Sequence, residues 1–393
     1  MKSMKIFFRS MILLAFTGLI YVRVINQIVF AAVALLCVVC EYGNMKVKKS
    51  TLIATAAVFL CTLIALITTG VSPYNSNMPL YYVFWILYAL YFLDNYTRIV
   101  SYFMTDQKFV MVSTVIWSAL VFAFIFIPAC YVYQDGSRGF VAFTGVDSAS
   151  GGNRLCPLAL FSMTMVYLCM TLYQKKKMII CALPALYVFF MGGSRTYFAV
   201  GCALFVVLLY NFFEKKRFFY LLIIPIIVIG YIMVSYSTMG DRISNSTWNS
   251  ESYGDFWYVL TSGRSVFWKK MLDGYWSQNI IHILVGNGYN FTTDVGSHWG
   301  HNDFVEILCS FGILGLGVYL WSIFSLLKTL LHKVKIPILI KILVLFVWGF
   351  NAFFNMFYTY ICAALAFPIL LITVAYEYSS MQENKTETLW LKK

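Results

Sequence analysis

Apolar runs of roughly 17 to 25 residues recur along almost the whole chain, each closed by a short polar or basic stretch, which is the pattern of helices that cross a bilayer. Runs at about 6–22, 24–41, 51–70, 79–97, 109–132, 154–173, 178–191, 197–213, 218–235, 303–327, 336–354 and 357–376 predict about twelve spans. The expected fold class is therefore an all-α polytopic membrane protein, with residues 1–393 forming a single transmembrane domain. The longest departure is a polar insert at 237–302, about 66 residues, which predicts one large loop between the ninth and tenth spans. Shorter breaks fall at 71–78, where Ser72, Pro73 and Asn75 are loop formers, and at 133–153, rich in Gly, Asp and Ser. A further break is the hairpin tip Gly192-Gly193-Ser194-Arg195-Thr196. No internal repeat is evident, and the two halves share no pair of similarly interrupted helices, so the usual transporter signature is missing.

Composition agrees with this pattern: 61% of the residues are hydrophobic and 11% charged. The net charge of +13 comes from Lys and Arg dispersed at helix ends and not gathered into a stripe, so topology explains it and nucleic-acid binding is not expected. Basic clusters occur at Lys2/Lys5/Arg9, Lys46/Lys48/Lys49, Lys175 to Lys177, Lys215/Lys216/Arg217, Lys333/Lys335 and Lys392/Lys393. Short basic loops are cytoplasmic as a rule, and the expected spans put an even number of crossings between successive clusters. Both termini are then cytoplasmic, and the insert, the 133–153 loop and Arg195 face outward. Met1 to Arg9 is basic and leads into an apolar run with no small-residue cleavage site, the mark of a first span and not of a removed signal.

Candidate chemistry gathers on the outer side. An arginine in a helix end costs about 2.5 to 3.5 kcal/mol to insert, which makes Arg138, Arg195 and Arg264 functional candidates; the alternative is an arginine that snorkels to headgroups. Gly192, Gly193 and Ser194 precede a helix, whose free N–H groups beside the Arg195 guanidinium would suit a phosphate. Arg264 and Trp268 are four apart, as on one face of an interfacial helix. Trp268, Trp276 and Trp299 also fit an aromatic belt, with Lys269 and Lys270 facing headgroups. Gly286-Asn287-Gly288 reads as a flexible turn. His298 and His301 are three apart, but with no Cys in the loop and no recognised spacing to Asp294, Asp303 or Glu306 a metal is not expected. His298 reads as an ordinary loop histidine. His301 could accept or orient a hydroxyl proton, with Asn302 or Asp303 fixing its tautomer. The ten cysteines lie in or beside apolar runs, Cys37 and Cys40 included, so no disulfide framework is implied; Cys130 with Cys156 is a weak pairing. Gly312, Gly315 and Gly317 in a spanning helix predict close helix packing. No phosphate loop is present.

Taken in order, Ser194-Arg195, Gly263-Arg264 with Trp268, Gly286-x-Gly288 and His301-Asn302-x-Phe304-x-Glu306-x-x-x-x-Phe311-Gly312-Ile313-Leu314-Gly315 resemble the O-antigen polymerase and ligase (Wzy-type) superfamily of bacterial membrane glycan polymerases. The resemblance covers about 138–325 by motif and the N-terminal third by hydropathy alone. It implies a class C glycosyltransferase of the cell envelope, acting on sugars carried by undecaprenyl or another polyprenyl diphosphate at the outer leaflet of the bacterial plasma membrane. Arg195 and Arg264 would hold the diphosphate and stabilise its charge, and His301 would contact the acceptor hydroxyl, with no metal or cofactor required. Arg138, Asn302, Trp268 and Asp303 would contribute to substrate binding. A chain-length regulator and a flippase would be partners, along with membrane lipids. The expected activity is polymerisation of capsule-type surface polysaccharide or exopolysaccharide. The alternatives are a ligase for a lipid or protein acceptor, and a transporter or flippase of lipid-linked sugars. Because the insert is modest, acceptor recognition is expected to draw on other outer loops such as 133–153.

Overall fold

The structure, a computed structural model, describes residues 9, 12, 15, 32, 47–69, 77–126, 131–134, 137–140, 155–191, 194–235, 257–258, 261, 263–297, 299–331 and 336–390. The expected hairpin at 6–22 and 24–41 lies outside them but for Arg9, Ile12, Ala15 and Ala32. The chain continues as α1 (Lys49–Thr69), α2 (Asn77–Thr105), α3 (Gln107–Phe126), β1 (Tyr131–Gln134), β2 (Ser137–Phe140) and α4 (Leu155–Leu172). A 3₁₀ helix (Lys176–Ala182) precedes α5 (Leu183–Met191), α6 (Arg195–Phe212) and α7 (Lys216–Ser235). The insert contains α8 (Arg264–Trp276), α9 (Ile280–Val285) and α10 (Phe291–Gly296). Then follow α11 (Asp303–Leu331), α12 (Ile338–Phe354), a 3₁₀ turn (Phe357–Thr359) and α13 (Ile361–Trp390). Among the described residues, six stretches are long and apolar enough to cross a membrane: Lys49–Ile67, Gln107–Phe126, Leu155–Leu172, Arg195–Phe212, Asp303–Lys328 and Cys362–Ser379. The protein is a helical membrane protein that crosses the bilayer several times.

Burial separates the helices into a centre and a rim. Every residue of α4 is buried, and α13 packs along it. A helix that is apolar all round belongs in such a centre. By contrast α1 exposes Leu52, Ile53, Phe59, Leu60, Leu63 and Ile67, and α3 exposes Val112, Val115, Ile116 and Phe122. Apolar faces of that size suit lipid and not water. Four buried threonines find partners within their own helices: Thr62 donates to the Val58 carbonyl, Thr114 to Val110, Thr164 to Leu160 and Thr373 to Ile369. In lipid, where water cannot serve, this back-bonding is the cheapest partner available. α12 lies along α6, and α11 crosses both α1 and α2.

Three expectations change in detail. The 109–132 run ends as a helix at Phe126, and an antiparallel ribbon follows with Tyr133 opposite Arg138 and Gln134 opposite Ser137. Asp135-Gly136 is a strong signal for a two-residue hairpin connection, so this part of the 133–153 loop is a β-ribbon that touches α5. The 178–191 run is split, because Pro184 has no N–H to donate and sits in the first turn of α5, where that loss is harmless. The insert, expected as a loop, is mostly helical over its described part.

The ends of the helices are tied differently. At one end Arg9 pairs with Asp106 at 2.9 Å, Lys48 with Asp94 at 3.1 Å, and Lys176 with Glu214 at 2.6 Å. The Tyr173 hydroxyl donates to the Phe103 carbonyl and joins these groups across α2 and α4. Described members of four basic clusters, Arg9, Lys48, Lys176 and Lys216, therefore share one end of the molecule, and α8 to α10 of the insert lie toward the other.

Candidate functional site

The site is built where α6, α8, α11 and α12 meet. Gly263 takes φ 80°, and the Arg264 that follows opens α8. The Thr261 hydroxyl accepts the Ser265 N–H at 3.0 Å, satisfying one of the donors left over at the helix start. From that position a guanidinium nitrogen of Arg264 donates to the Phe354 carbonyl, at the C-terminus of α12. Burial is the main cause pulling the Arg264 pKa below its ordinary value; Tyr360 pushes it back up, and the charge of Arg195 lowers it further. Arg195 and Arg264 thus act on one another electrostatically. Among the described residues no carboxylate forms a salt bridge with Arg264.

Both arginines stand at the first position of a helix. Arg195 opens α6 directly after Ser194, which is buried and extended at φ −96°. A helix N-terminus carries about half a positive charge, which disfavours a cation there and favours an anion. α6 lies along α12, and Arg264, bound at the C-terminus of α12, senses the charge of Arg195 at the start of α6.

His301 sits one peptide beyond a clamped glycine. The Gly300 N–H donates to Glu306 Oε2 at 2.9 Å, and the Gly300 carbonyl accepts the indole N–H of Trp268. Glu306 Oε1 takes the Thr292 hydroxyl at 2.8 Å, which ties α10 to the same carboxylate. Held this way, His301 adopts φ 45°, in the left-handed region. Asn302 caps α11 by accepting the Val305 N–H at 3.1 Å. Asp303 is fully buried and accepts the Tyr319 hydroxyl at 2.6 Å, and the Trp348 indole donates to that same hydroxyl at 3.4 Å. The side chains of Asn302 and Asp303, expected beside the imidazole or the substrate, make these bonds to the scaffold.

The glycines of the motif have separate tasks. α11 breaks at Gly312, where φ is 69° and ψ −172°. Such a break leaves carbonyls without partners in their own helix, and in a membrane they must be satisfied from elsewhere. The Asn287 N–H donates to the Cys309 carbonyl at 3.0 Å, and the Gly288 N–H to the Ser310 carbonyl at 3.1 Å. A Cβ on Gly286 would lie 2.3 Å from the Ser310 oxygen, and one on Gly312 2.4 Å from the Leu284 oxygen. What reads locally as a flexible turn is therefore a backbone patch on a broken helix.

The remaining expected residues are placed as follows. Trp268 is 9% exposed and packs edge-on to Phe353 at 5.3 Å, so it lies inside the site's wall and not in a surface belt. Trp276 is exposed, and Trp299 half-buried. The Arg138 backbone lies in β2. Cys156 is buried, and Cys130 and His298 lie outside the described residues. The Phe354 carbonyl, Tyr319 and Thr292 are members of the site that no side-chain motif reveals. Glu306 carried a signal through its place four residues after Asn302.

Two grooves flank Arg264. One, about 530 Å³, follows α12 and is lined by Ile342, Leu345, Phe346, Gly349, Phe350, Phe353 and Phe354. The other, about 490 Å³, follows α8 and is lined by Trp257, Ser265, Trp268, Lys269, Leu272, Asp273, Trp276 and Phe353. They share Phe353, next to the carbonyl that Arg264 binds. Compared with protein-family models the chain matches none, and no curated protein matches it.

Proposed function

We propose that the protein is a polymerase of surface polysaccharide. It transfers a glycan chain from polyprenyl diphosphate to a hydroxyl of another lipid-linked repeat unit, on the outer face of a bacterial plasma membrane. The observation that carries this reading is Arg264, a partly buried cation at a helix start that binds the Phe354 carbonyl and, among the described residues, forms no salt bridge; an anion would offset the cost of holding it there. A diphosphate fits the charge, and two guanidinium forks can grip it. The apolar groove along α12 runs to Phe354, where the charge lies, and suits an isoprenoid chain.

In this mechanism the bond between the anomeric carbon and the diphosphate oxygen breaks, and the electron pair leaves with the diphosphate. Arg195 and Arg264 stabilise the growing charge. The acceptor oxygen attacks the anomeric carbon and loses its proton, with His301 as base or orienting group. The end shared by four basic clusters would be cytoplasmic by the positive-inside rule and the insert extracytoplasmic, which supports an even number of crossings between those clusters.

The test is purified protein given only the polyprenyl-diphosphate repeat unit extracted from its native membrane, with products resolved by size. A ladder of longer glycans that Arg264→Ala abolishes is the expected result. Transfer to a lipid or protein acceptor without a ladder would overturn polymerisation in favour of ligation.

A further inference from the structure

The two grooves that meet at Phe353 differ in chemistry. That along α12 has only Ile, Leu, Phe and Gly in its lining. That along α8 combines aromatic rings with a hydroxyl, an ammonium and a carboxylate. Its α8 members, Ser265, Trp268, Lys269, Leu272, Asp273 and Trp276, follow the three- and four-residue steps of one helix face. From Ser265 to Trp276 that face is about 16 Å long at 1.5 Å per residue. Trp257 and Trp276 are each 56% exposed, so flat indole surface is presented outward. Ser265 Oγ is buried without a hydrogen-bond partner.

We propose that the α8 groove binds the glycan of the lipid-linked substrate, with Trp257 and Trp276 as stacking faces and Ser265, Lys269 and Asp273 as hydroxyl partners. The inference rests on the function proposed above and adds a site to it. A sugar ring offers both an apolar C–H face and a rim of hydroxyls, which matches a wall of indoles edged with polar groups. An isoprenoid chain has no use for Lys269 or Asp273, and the α12 groove serves it better. The groove begins at Ser265, next to Arg264, so a glycan lying there would start where the diphosphate is held. Water that fills the groove would be displaced from indole surface on binding, while the hydroxyls keep hydrogen-bond partners.

The experiment uses the full-length protein and native mass spectrometry with two probes: undecaprenyl diphosphate alone, and the polyprenyl-diphosphate-linked repeat unit extracted from the native membrane. Trp276→Ala and Trp257→Ala remove mostly exposed side chains and should leave the melting temperature unchanged. Each should weaken the glycan-bearing probe about tenfold and the bare lipid by less than about twofold. Arg264→Ala should weaken both. Equal weakening of the two probes by the tryptophan variants would overturn the proposal and make these residues interfacial anchors. No change with either probe would overturn it too, while leaving the proposed function standing. A wild-type protein that binds neither probe would overturn both.

Discussion

The two ends of the helical body handle charge in opposite ways. At the end that gathers four basic clusters, Arg9, Lys48 and Lys176 each meet a carboxylate. Glu377 there accepts the Tyr167 hydroxyl at 2.8 Å and the Asn211 amide at 3.0 Å. At the insert end, among the described residues, Arg264 forms no salt bridge. Arg264 binds a carbonyl and feels the repulsion of Arg195, and the nearby carboxylates, Asp303 and Glu306, are turned to hydroxyl and backbone partners. Charges paired with carboxylates tie helices together, whereas on the function proposed above Arg264 is the charge that meets a ligand. Substitutions at the two ends should therefore separate activity from stability.

The largest effect is expected at Arg264. Its replacement by Ala should cost about a hundred- to a thousandfold in the rate of glycan transfer, the range for losing one preorganised charge-stabilising group. Arg264→Lys should recover part of the rate, since the charge returns but the planar fork does not. A rate within experimental error of wild type for Arg264→Ala, in protein shown to be folded, would erase the contrast between the ends.

The next effect is on stability. Gly312→Ala forces a Cβ against the Leu284 oxygen at a backbone angle that only glycine adopts freely, and should lower stability by about 1–3 kcal/mol. Gly317→Ala, where a Cβ would meet nothing within 4 Å, should change little. Melting of the detergent-solubilised variants compares them. Glu306→Ala should cost about 1–3 kcal/mol, because it strands the Gly300 N–H and the Thr292 hydroxyl. The same change frees the peptide before His301, so transfer should slow even at temperatures where the variant is folded. Glu306→Gln, which keeps a carbonyl oxygen for one of the two donors, should fall between.

These substitutions also mark where local sequence information stops. Spans such as 51–70, 154–173 and 197–213 could be read to within a few residues, because hydropathy over a bilayer's thickness is a local property. Gly312, Gly315 and Gly317 looked alike as small residues in an apolar helix. In the structure Gly312 breaks α11, Gly315 offers its carbonyl to the Tyr82 hydroxyl at 2.7 Å, and Gly317 faces open space. The pairing of Asn287 with Cys309 spans 22 residues and leaves no local trace. Arg195 and Arg264 could each be singled out by the cost of a membrane arginine, but their proximity depends on α6 lying along α12. Nothing in either segment alone announces that contact.

The smallest effect belongs to Lys176 and Glu214. Glu214 is fully exposed, and its pKa is lowered from the ordinary 4.5 first by the hydrogen bond from Lys176 and then by that residue's charge. A carboxylate with a depressed folded value adds its stability above the unfolded pKa and loses it as the pH falls through the folded one. The pair's contribution is thus complete at neutral pH and fades only below about 4.5, in the acid range. Exposure and salt screening make it small throughout. Lys176→Ala should leave glycan transfer untouched and shift melting at pH 7 only slightly, with that shift gone in molar salt or strong acid. A large loss of activity in Lys176→Ala would mean that the basic end does more than hold the helices, and the division of labour between the two ends would have to be redrawn.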